Sequence, residues 1–274
     1  MIALELFVFA AAVGAGAFGA LVGVGGGLII VPMLSVFFGV EVHTAIGVSL
    51  LGVIAVSTSG AASYLHSGFA NRRLGLTLLV ATAAGGIGGG YVAGLLDARA
   101  LSGLFAIVLV LVALQMLRSR GRPPEEVVGE AAALEIDASY REPTTGETIG
   151  YRARNVPIAL GVSVVAGALS GLMGIGGGVV NVPTMNVLMG VPIRVATATS
   201  TFMLGATAAA SAVLYLSRGQ IDVVLAAVVV LGVFVGATVG ARLSRRVPRN
   251  VLSALFVLVA GVFAAQMLIR FAGV

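Results

Sequence analysis

The chain has no cysteine among its 274 residues and no lysine, because all sixteen basic residues are arginine. Without thiols there is neither a disulfide framework nor a thiolate metal site. Without lysine there is no Walker A loop, whose Lys must reach the β and γ phosphates. Charge is scarce too: 10% of residues are charged, against about 25% in a soluble chain. What is there instead is apolar, at 59% hydrophobic with a mean hydropathy of +1.11. Runs of about 20 apolar residues between short charged loops predict an all-α polytopic membrane protein and exclude a soluble enzyme. The pI near 10.4 does not indicate nucleic acid, since the arginines sit singly or in small groups between apolar segments, as topology anchors do. A His-Glu-x-x-His motif, a mid-span pair of aspartates and a Ser-His-acid set at matching depth are all missing, so no enzyme, cofactor or metal is expected. Gly14-x-Gly16-x-x-Gly19 matches the dinucleotide fingerprint only formally, as it follows no strand.

Sliding the chain against itself by 151 residues aligns its halves without a gap, and residues 21–40 match residues 172–191 at ten of twenty positions. The same offset pairs Ser49 with Ser200, Tyr64 with Tyr215, Phe105 with Phe256, and Gln115-Met116-Leu117 with Gln266-Met267-Leu268. The chain is a duplicated unit. Between the copies, residues 119–154 hold seven of the eleven acids and break the hydropathy. The expected organisation is therefore a transmembrane repeat over 1–118, an acidic cytoplasmic loop over 119–154, and a second repeat over 155–274. Alternation in the loop suggests a small β-hairpin turning near Pro143 to Gly146. The apolar N-terminus lacks a basic n-region and pairs with residues inside the second copy, so it reads as a retained helix.

Each repeat has three clear spans, 44–66, 74–96 and 100–117, matched by 195–217, 225–243 and 251–269. Residues 2–40 are too long for one crossing, and their glycines would break a helix. One crossing there gives parallel copies; a double or re-entrant crossing gives inverted ones. The odd count puts thirteen arginines on one face and three on the other, while the even count splits them ten to six. The positive-inside rule favours the first. The expected architecture is two inverted-topology repeats, each a glycine-broken short helix or hairpin plus three full spans, about eight to ten membrane segments in all.

Gly23, Gly25, Gly26 and Gly27, with Gly174, Gly176, Gly177 and Gly178 in the copy, precede apolar stretches of a dozen residues. At about 1.5 Å per residue these cannot cross a core of about 30 Å. Each is a half-helix or a strongly offset one, with its N-terminus inside the protein, where bare N–H groups and the positive dipole end suit an anion. Pro32 and Pro183 should distort both further. The glycines alone would equally suit a tight hairpin between packed helices. The polar residues Asn181, Thr184 and Asn186 and the hydroxyl runs Ser57 to Ser59 and Thr197, Thr199, Ser200, Thr201 go beyond that. The expected substrate contacts are the eight glycines with Ser49, Asn181, Asn186, Thr199, Ser200 and Thr201. Ser49 and Ser200, an identical pair, belong near the pseudo-twofold axis. Gly232, Gly236, Gly240 and the series Gly85, Gly89 and Gly86, Gly90, Gly94 recur every four residues, as in close helix packing.

No acid falls in mid-span, so no carboxylate proton relay is visible. His43 and His66, at the two ends of the first long span, and Arg194, at the position equivalent to His43, are the candidates for gating or for a polar rim.

The motif GxGGGxxxxP in both halves (Gly23 to Pro32, Gly174 to Pro183), the length and the acidic central loop resemble the TauE/SafE family of sulfite and organosulfonate exporters. That resemblance implies a multi-pass permease of the bacterial inner membrane, central loop cytoplasmic, exporting sulfite, sulfoacetate or a related organosulfonate. An anion channel or an uptake permease for another small organic anion is the alternative. The expected partners are a small anionic substrate and the lipid bilayer, with no nucleic acid. A homo-oligomer is left open.

Overall fold

The computed structural model describes residues 2–22, 25–66, 70–118, 136–141, 148–243 and 249–272. The first half contains α1 (Ile2–Val22), α2 (Gly27–Pro32), α3 (Val42–His66), α4 (Arg72–Ala93) and α5 (Ala98–Arg118). The strands β1 (Ile136–Arg141) and β2 (Thr148–Ala153) follow. The second half contains α6 (Val156–Met173), α7 (Gly178–Pro183), α8 (Ile193–Ser217), α9 (Val223–Leu243) and α10 (Arg249–Ala272). Among the described residues, α3, α4, α6, α8 and α9 are long and apolar enough to cross a membrane. The chain is an all-α multi-pass membrane protein.

The long helices begin about where the hydropathy rises, and side chains cap their starts. Glu41 Oε2 accepts from the Thr44 amide at 3.0 Å, Asn71 Oδ1 from Leu74 at 3.0 Å, Asp97 Oδ1 from Ala100 at 2.8 Å and Asp222 Oδ1 from Leu225 at 3.0 Å. The acids that mark span ends in the sequence thus satisfy orphan amides at helix N-termini, where the dipole also favours them. α4 stops at Ala93 rather than at 96, because residues 94–96 form a turn before Asp97 starts α5.

Pro32 and Pro183 each end an α-helical stretch and are followed by one π turn, Met33–Phe37 and Thr184–Leu188. Proline has no N–H to donate, so the ladder loses a rung there and re-phases to longer steps, as in the Met189 amide donating to the Thr184 carbonyl at 3.1 Å. The first short segment folds back along α1: Phe38 lies 5.8 Å from Phe7, ring to ring, near one end, while Gly19 abuts Gly26 at the other.

Equivalent helices α3 and α8 cross in opposite directions. Gly47 lies against Tyr215, whereas Ser57, farther along α3, meets Thr201, nearer the start of α8. Two other pairs run parallel: α1 with α9, through Gly232 on Phe9 and Gly240 on Ala17, and α4 with α6, through Gly85 on Val164 and Gly89 on Ala168. In these seams a Cβ on the glycine would meet the partner's backbone. Lipid tails give apolar side chains no reason to leave them, so such close van der Waals contact is what joins helices in a bilayer.

The strands pair antiparallel from Ile136 opposite Ala153 to Arg141 opposite Thr148. The expected turn near Pro143 to Gly146 lies outside the described residues. Ile136, Tyr140 and Ala153 are buried in one apolar cluster with Leu74 and Leu78 of α4, Met185 and Met189 of the second π turn region, and Val195 and Ala196 of α8.

Candidate functional site

The two glycine turns meet inside the protein. Gly25 and Gly26 have φ of 80° and 77°, Gly176 and Gly177 have 77° and 75°. This left-handed pair costs a residue with a Cβ about 1–2 kcal/mol at each position, so the turn selects glycine. Gly27 sits against the carbonyl of Gly174, and a Cβ there would lie 2.9 Å from the Ile175 Cα. Gly23, the first member of the first cluster, lies outside the described residues.

In each short segment the amides divide into those bonded back to the turn and those without an acceptor among the described residues. Ile29 and Ile30 donate to the Gly26 carbonyl at 3.0 and 3.2 Å, and Val180 and Asn181 to that of Gly177 at 3.2 and 3.1 Å. For Gly27 and Leu28, and for Gly178 and Val179, no acceptor is found among the described residues. Gly27, Leu28 and Gly178 are buried. Buried N–H groups are nearly always paired, so bare ones at this depth are acceptor-seeking.

The expected polar contacts divide by position. Ser49 is buried and spent on the protein, its hydroxyl donating to the Gly174 carbonyl at 2.9 Å and lying 3.5 Å from that of Gly27. Its counterpart Ser200 is equally buried and has no hydrogen-bond partner among the described residues. A Cβ on Gly178 would lie 3.3 Å from that free oxygen. Asn181, 2% exposed, accepts from Ser163 at 3.3 Å through Oδ1. That bond leaves its NH2 group, two donors, on the side of Gly177. Gly174, Gly176, Gly177, Gly178, Asn181 and Ser200 are therefore brought together, with Gly25, Gly26, Gly27 and Ser49 across the contact.

Others lie apart. Asn186 is in the second π turn and donates to the Val191 carbonyl at 2.9 Å. Thr201 donates to the Thr197 carbonyl at 2.8 Å, a bond within its own helix. Thr199 Oγ1 accepts from the Asn71 amide at 3.0 Å, which ties α8 to the start of α4.

The rim candidates occupy both faces. His43 Nδ1 lies 2.5 Å from Glu41 Oε1, and its Nε2 lies 3.2 and 3.1 Å from the carbonyls of Ala93 and Leu96. Partial burial alone would push the Glu41 carboxyl up, but the His43 ring and the amides of Thr44 and His43 outweigh it and hold the group below its ordinary range. On the same face Arg218 donates to the Gly90 carbonyl at 2.8 Å and that of Tyr91 at 3.2 Å, covering the last carbonyls of α4. His66 closes α3 and Arg194 stands in the first turn of α8, both on the opposite face.

Four contributors were not legible in the sequence. Val53 and Leu204, equivalent by the 151-residue offset, are buried and press on the glycine turns: Leu204 lies within 3.2 Å of a Cβ on Gly25 and 2.9 Å of one on Gly176. An apolar residue in an apolar span carries no signal. Asn71 and Tyr151 join α4 to the hairpin, Asn71 Nδ2 donating to the Tyr151 hydroxyl at 2.9 Å. Burial pushes that phenol up, and the bond from Asn71 offsets the effect only in part.

A helical membrane protein with two buried glycine turns in contact, and polar groups gathered beside them, has the parts of a solute transporter. The comparisons define that class and the family within it. The chain matches the sulfite exporter TauE/SafE family over residues 8–267 and belongs to it. It is 32% identical over 227 residues to the probable membrane transporter protein YunE of Bacillus subtilis (strain 168), covering 80% of each chain. To the probable membrane transporter protein YdhB of the same organism it is 26% identical over 242 residues, covering 86% of this chain and 89% of that one. No solved structure matches.

Proposed function

We propose that this membrane transporter exports a small sulfur oxyanion, sulfite, sulfoacetate or a related organosulfonate, across the bacterial inner membrane. The observation that carries the reading is the set of groups at the two turns without a partner among the described residues: the amides of Gly27, Leu28, Gly178 and Val179 and the hydroxyl of Ser200. The four amides can only donate and the hydroxyl can, which suits the oxygens of a negative solute. The family's description supports sulfite within that class.

The opposed crossing of α3 and α8 supports inverted repeats, an arrangement in which two halves exchange roles as access alternates. The arginine count supports a cytoplasmic hairpin face. Export then needs no coupled ion, since an anion leaving a negative interior gains about 2.3 kcal/mol per charge per 100 mV.

The test is a melting-temperature screen of the purified chain against sulfite, sulfate, thiosulfate, sulfoacetate, taurine and matched carboxylates, followed by flux from loaded proteoliposomes. Sulfite or an organosulfonate should stabilise the protein, and efflux should collapse when the membrane potential alone is removed. Stabilisation by no anion would overturn the reading. Flux following only a pH gradient would replace uniport with proton coupling.

A further inference from the structure

The side chain and backbone of one residue connect three parts of the chain near the candidate site. The Asn71 amide donates to Thr199 Oγ1 at 3.0 Å, its Nδ2 donates to the Tyr151 hydroxyl at 2.9 Å, and its Oδ1 accepts from the Leu74 amide at 3.0 Å. Thr199 adjoins the unpartnered Ser200, Tyr151 belongs to β2, and Leu74 opens α4.

Around this node the hairpin closes one side of the second copy. Ile136, Tyr140 and Ala153 bury against Met185, Met189, Val195 and Ala196, side chains along the way from the second glycine turn to that face. The hairpin is also fixed where it enters α6: the Arg154 amide donates to the Met189 carbonyl and Asn155 Nδ2 to that of Leu188, both at 3.0 Å. The chain running from the second glycine turn through α7 to Met189 thus ends under a cover made by α4, α8 and the paired strands.

We propose that the hairpin is the gate on this face and that Asn71 and Tyr151 are its positioning residues, holding the Thr199–Ser200 stretch of α8 against α4 until the gate opens. The proposal rests on the transport reading for its meaning and adds the regulation of that site. Tyr151 is an acceptor in the latch and can turn into a donor if its partner becomes a carboxylate. Three hydrogen bonds on one node make the closed state cooperative, and loss of any one of them loosens it.

The chain contains no cysteine, so one introduced thiol reports on one place. Val195, fully buried under the hairpin, is replaced in the full-length protein as Val195→Cys, and its rate of modification by a small neutral maleimide is measured. Adding Tyr151→Phe deletes one hydrogen bond and keeps the ring; labelling should speed up by about fivefold, the population shift that loss of one such bond gives. Asn71→Ser keeps a residue able to cap α4 but cannot reach Tyr151, and should do the same. Asn71→Asp keeps the cap and lets the phenol donate, so labelling should stay slow. In proteoliposomes Tyr151→Phe should change the maximal rate of sulfite efflux and leave its half-saturating concentration within about twofold.

Equal labelling rates in all four backgrounds, at comparable melting temperatures, would overturn the gate. If Tyr151→Phe does not fold, the Asn71→Ser and Asn71→Asp pair decides alone. The labelling contrast is independent of any anion. A protein that labels as expected yet is stabilised by no anion keeps the gate and loses the substrate reading.

Discussion

The first glycine turn and the second share a motif and a backbone conformation, yet they are built for different ends. At the first, Gly27 is wedged against the Gly174 carbonyl, and Ser49 bridges the gap with a 2.9 Å bond. At the second, the nearest described atoms to a Cβ on the equivalent Gly178 are Leu204 Cδ2 at 3.2 Å and Ser200 Oγ at 3.3 Å, and that hydroxyl has no hydrogen-bond partner among the described residues. The side chains follow the same division. Asn181, Thr184 and Ser163 in the second copy stand where the first has Ile30, Met33 and Ala12. Duplication produced two turns, and divergence left one as packing while the other gathered the polar groups.

Substituting the equivalent glycines should break that comparison most sharply. Gly27→Ala drives a methyl into backbone and should cost about 3 kcal/mol, a large share of the roughly 5–15 kcal/mol that holds a protein folded. Gly178→Ala meets, among the described residues, the side chains of Leu204 and Ser200 and should cost less than about 1.5 kcal/mol, while weakening anion binding by filling the space beside Ser200. Equal melting temperatures for the two variants would mean that the turns are alike.

The serine pair gives the next effect. Ser200→Ala should leave the unliganded melting temperature unchanged or higher, because a buried orphan hydroxyl is removed, and should weaken sulfite binding by about 1.5–3 kcal/mol, the range for a hydrogen bond to a charged group. Ser49→Ala strands the Gly174 carbonyl, so it should lower the melting temperature by the equivalent of about 1–3 kcal/mol. Calorimetry with and without sulfite separates the two, and reversed behaviour would reverse the assignment of the turns.

A smaller effect lies one turn along α8. Ser57 donates to the Thr201 carbonyl at 2.6 Å and accepts from the Gly205 amide at 2.9 Å, the two groups of a single helical rung. The equivalent residues in the other direction, Ala208 and Ile54, have no hydroxyl to offer. A Cβ on Gly205 would lie 2.6 Å from the Ser57 oxygen. Gly205→Ala should therefore destabilise, and Ser57→Ala should relieve it, with a coupling of about 0.5–3 kcal/mol in a double-mutant cycle. Strict additivity would remove the contact.

The rim gives the smallest. Glu41 is held below its ordinary carboxylate range, so its contribution to stability is present above that range and fades as pH falls through the depressed folded-state value. The difference in melting temperature between the wild type and Glu41→Gln should shrink as the solution is acidified. A difference that grew on acidification would contradict the pairing with His43.

Much of this fold is visible in the chain because its signals are one-dimensional. A bilayer demands long apolar helices, a duplication repeats at a fixed offset, and a left-handed turn selects glycine whatever surrounds it. The capping acids at span ends belong to the same group, since a cap is a contact three residues away. Ser57, Asn71 and Tyr151 do not, because the groups they meet are 80 to 148 residues distant. Asn186 shows the opposite case: a polar residue in an apolar segment suggests a ligand, yet its amide serves a carbonyl five residues on.

The sequence by itself determined that this is a duplicated, all-helical membrane chain, resembling the TauE/SafE family, with a short glycine-led apolar segment in each copy. The helices and the glycines follow from local hydropathy and backbone sterics, the duplication from the fixed offset, and the family from the resemblance of its motif. Only the tertiary structure decided which hydroxyl is spent and which is free, since Ser49 and Ser200 are identical residues at matched positions. Their difference lies in what the opposite copy places within hydrogen-bonding reach, and that depends on how two distant segments are brought together.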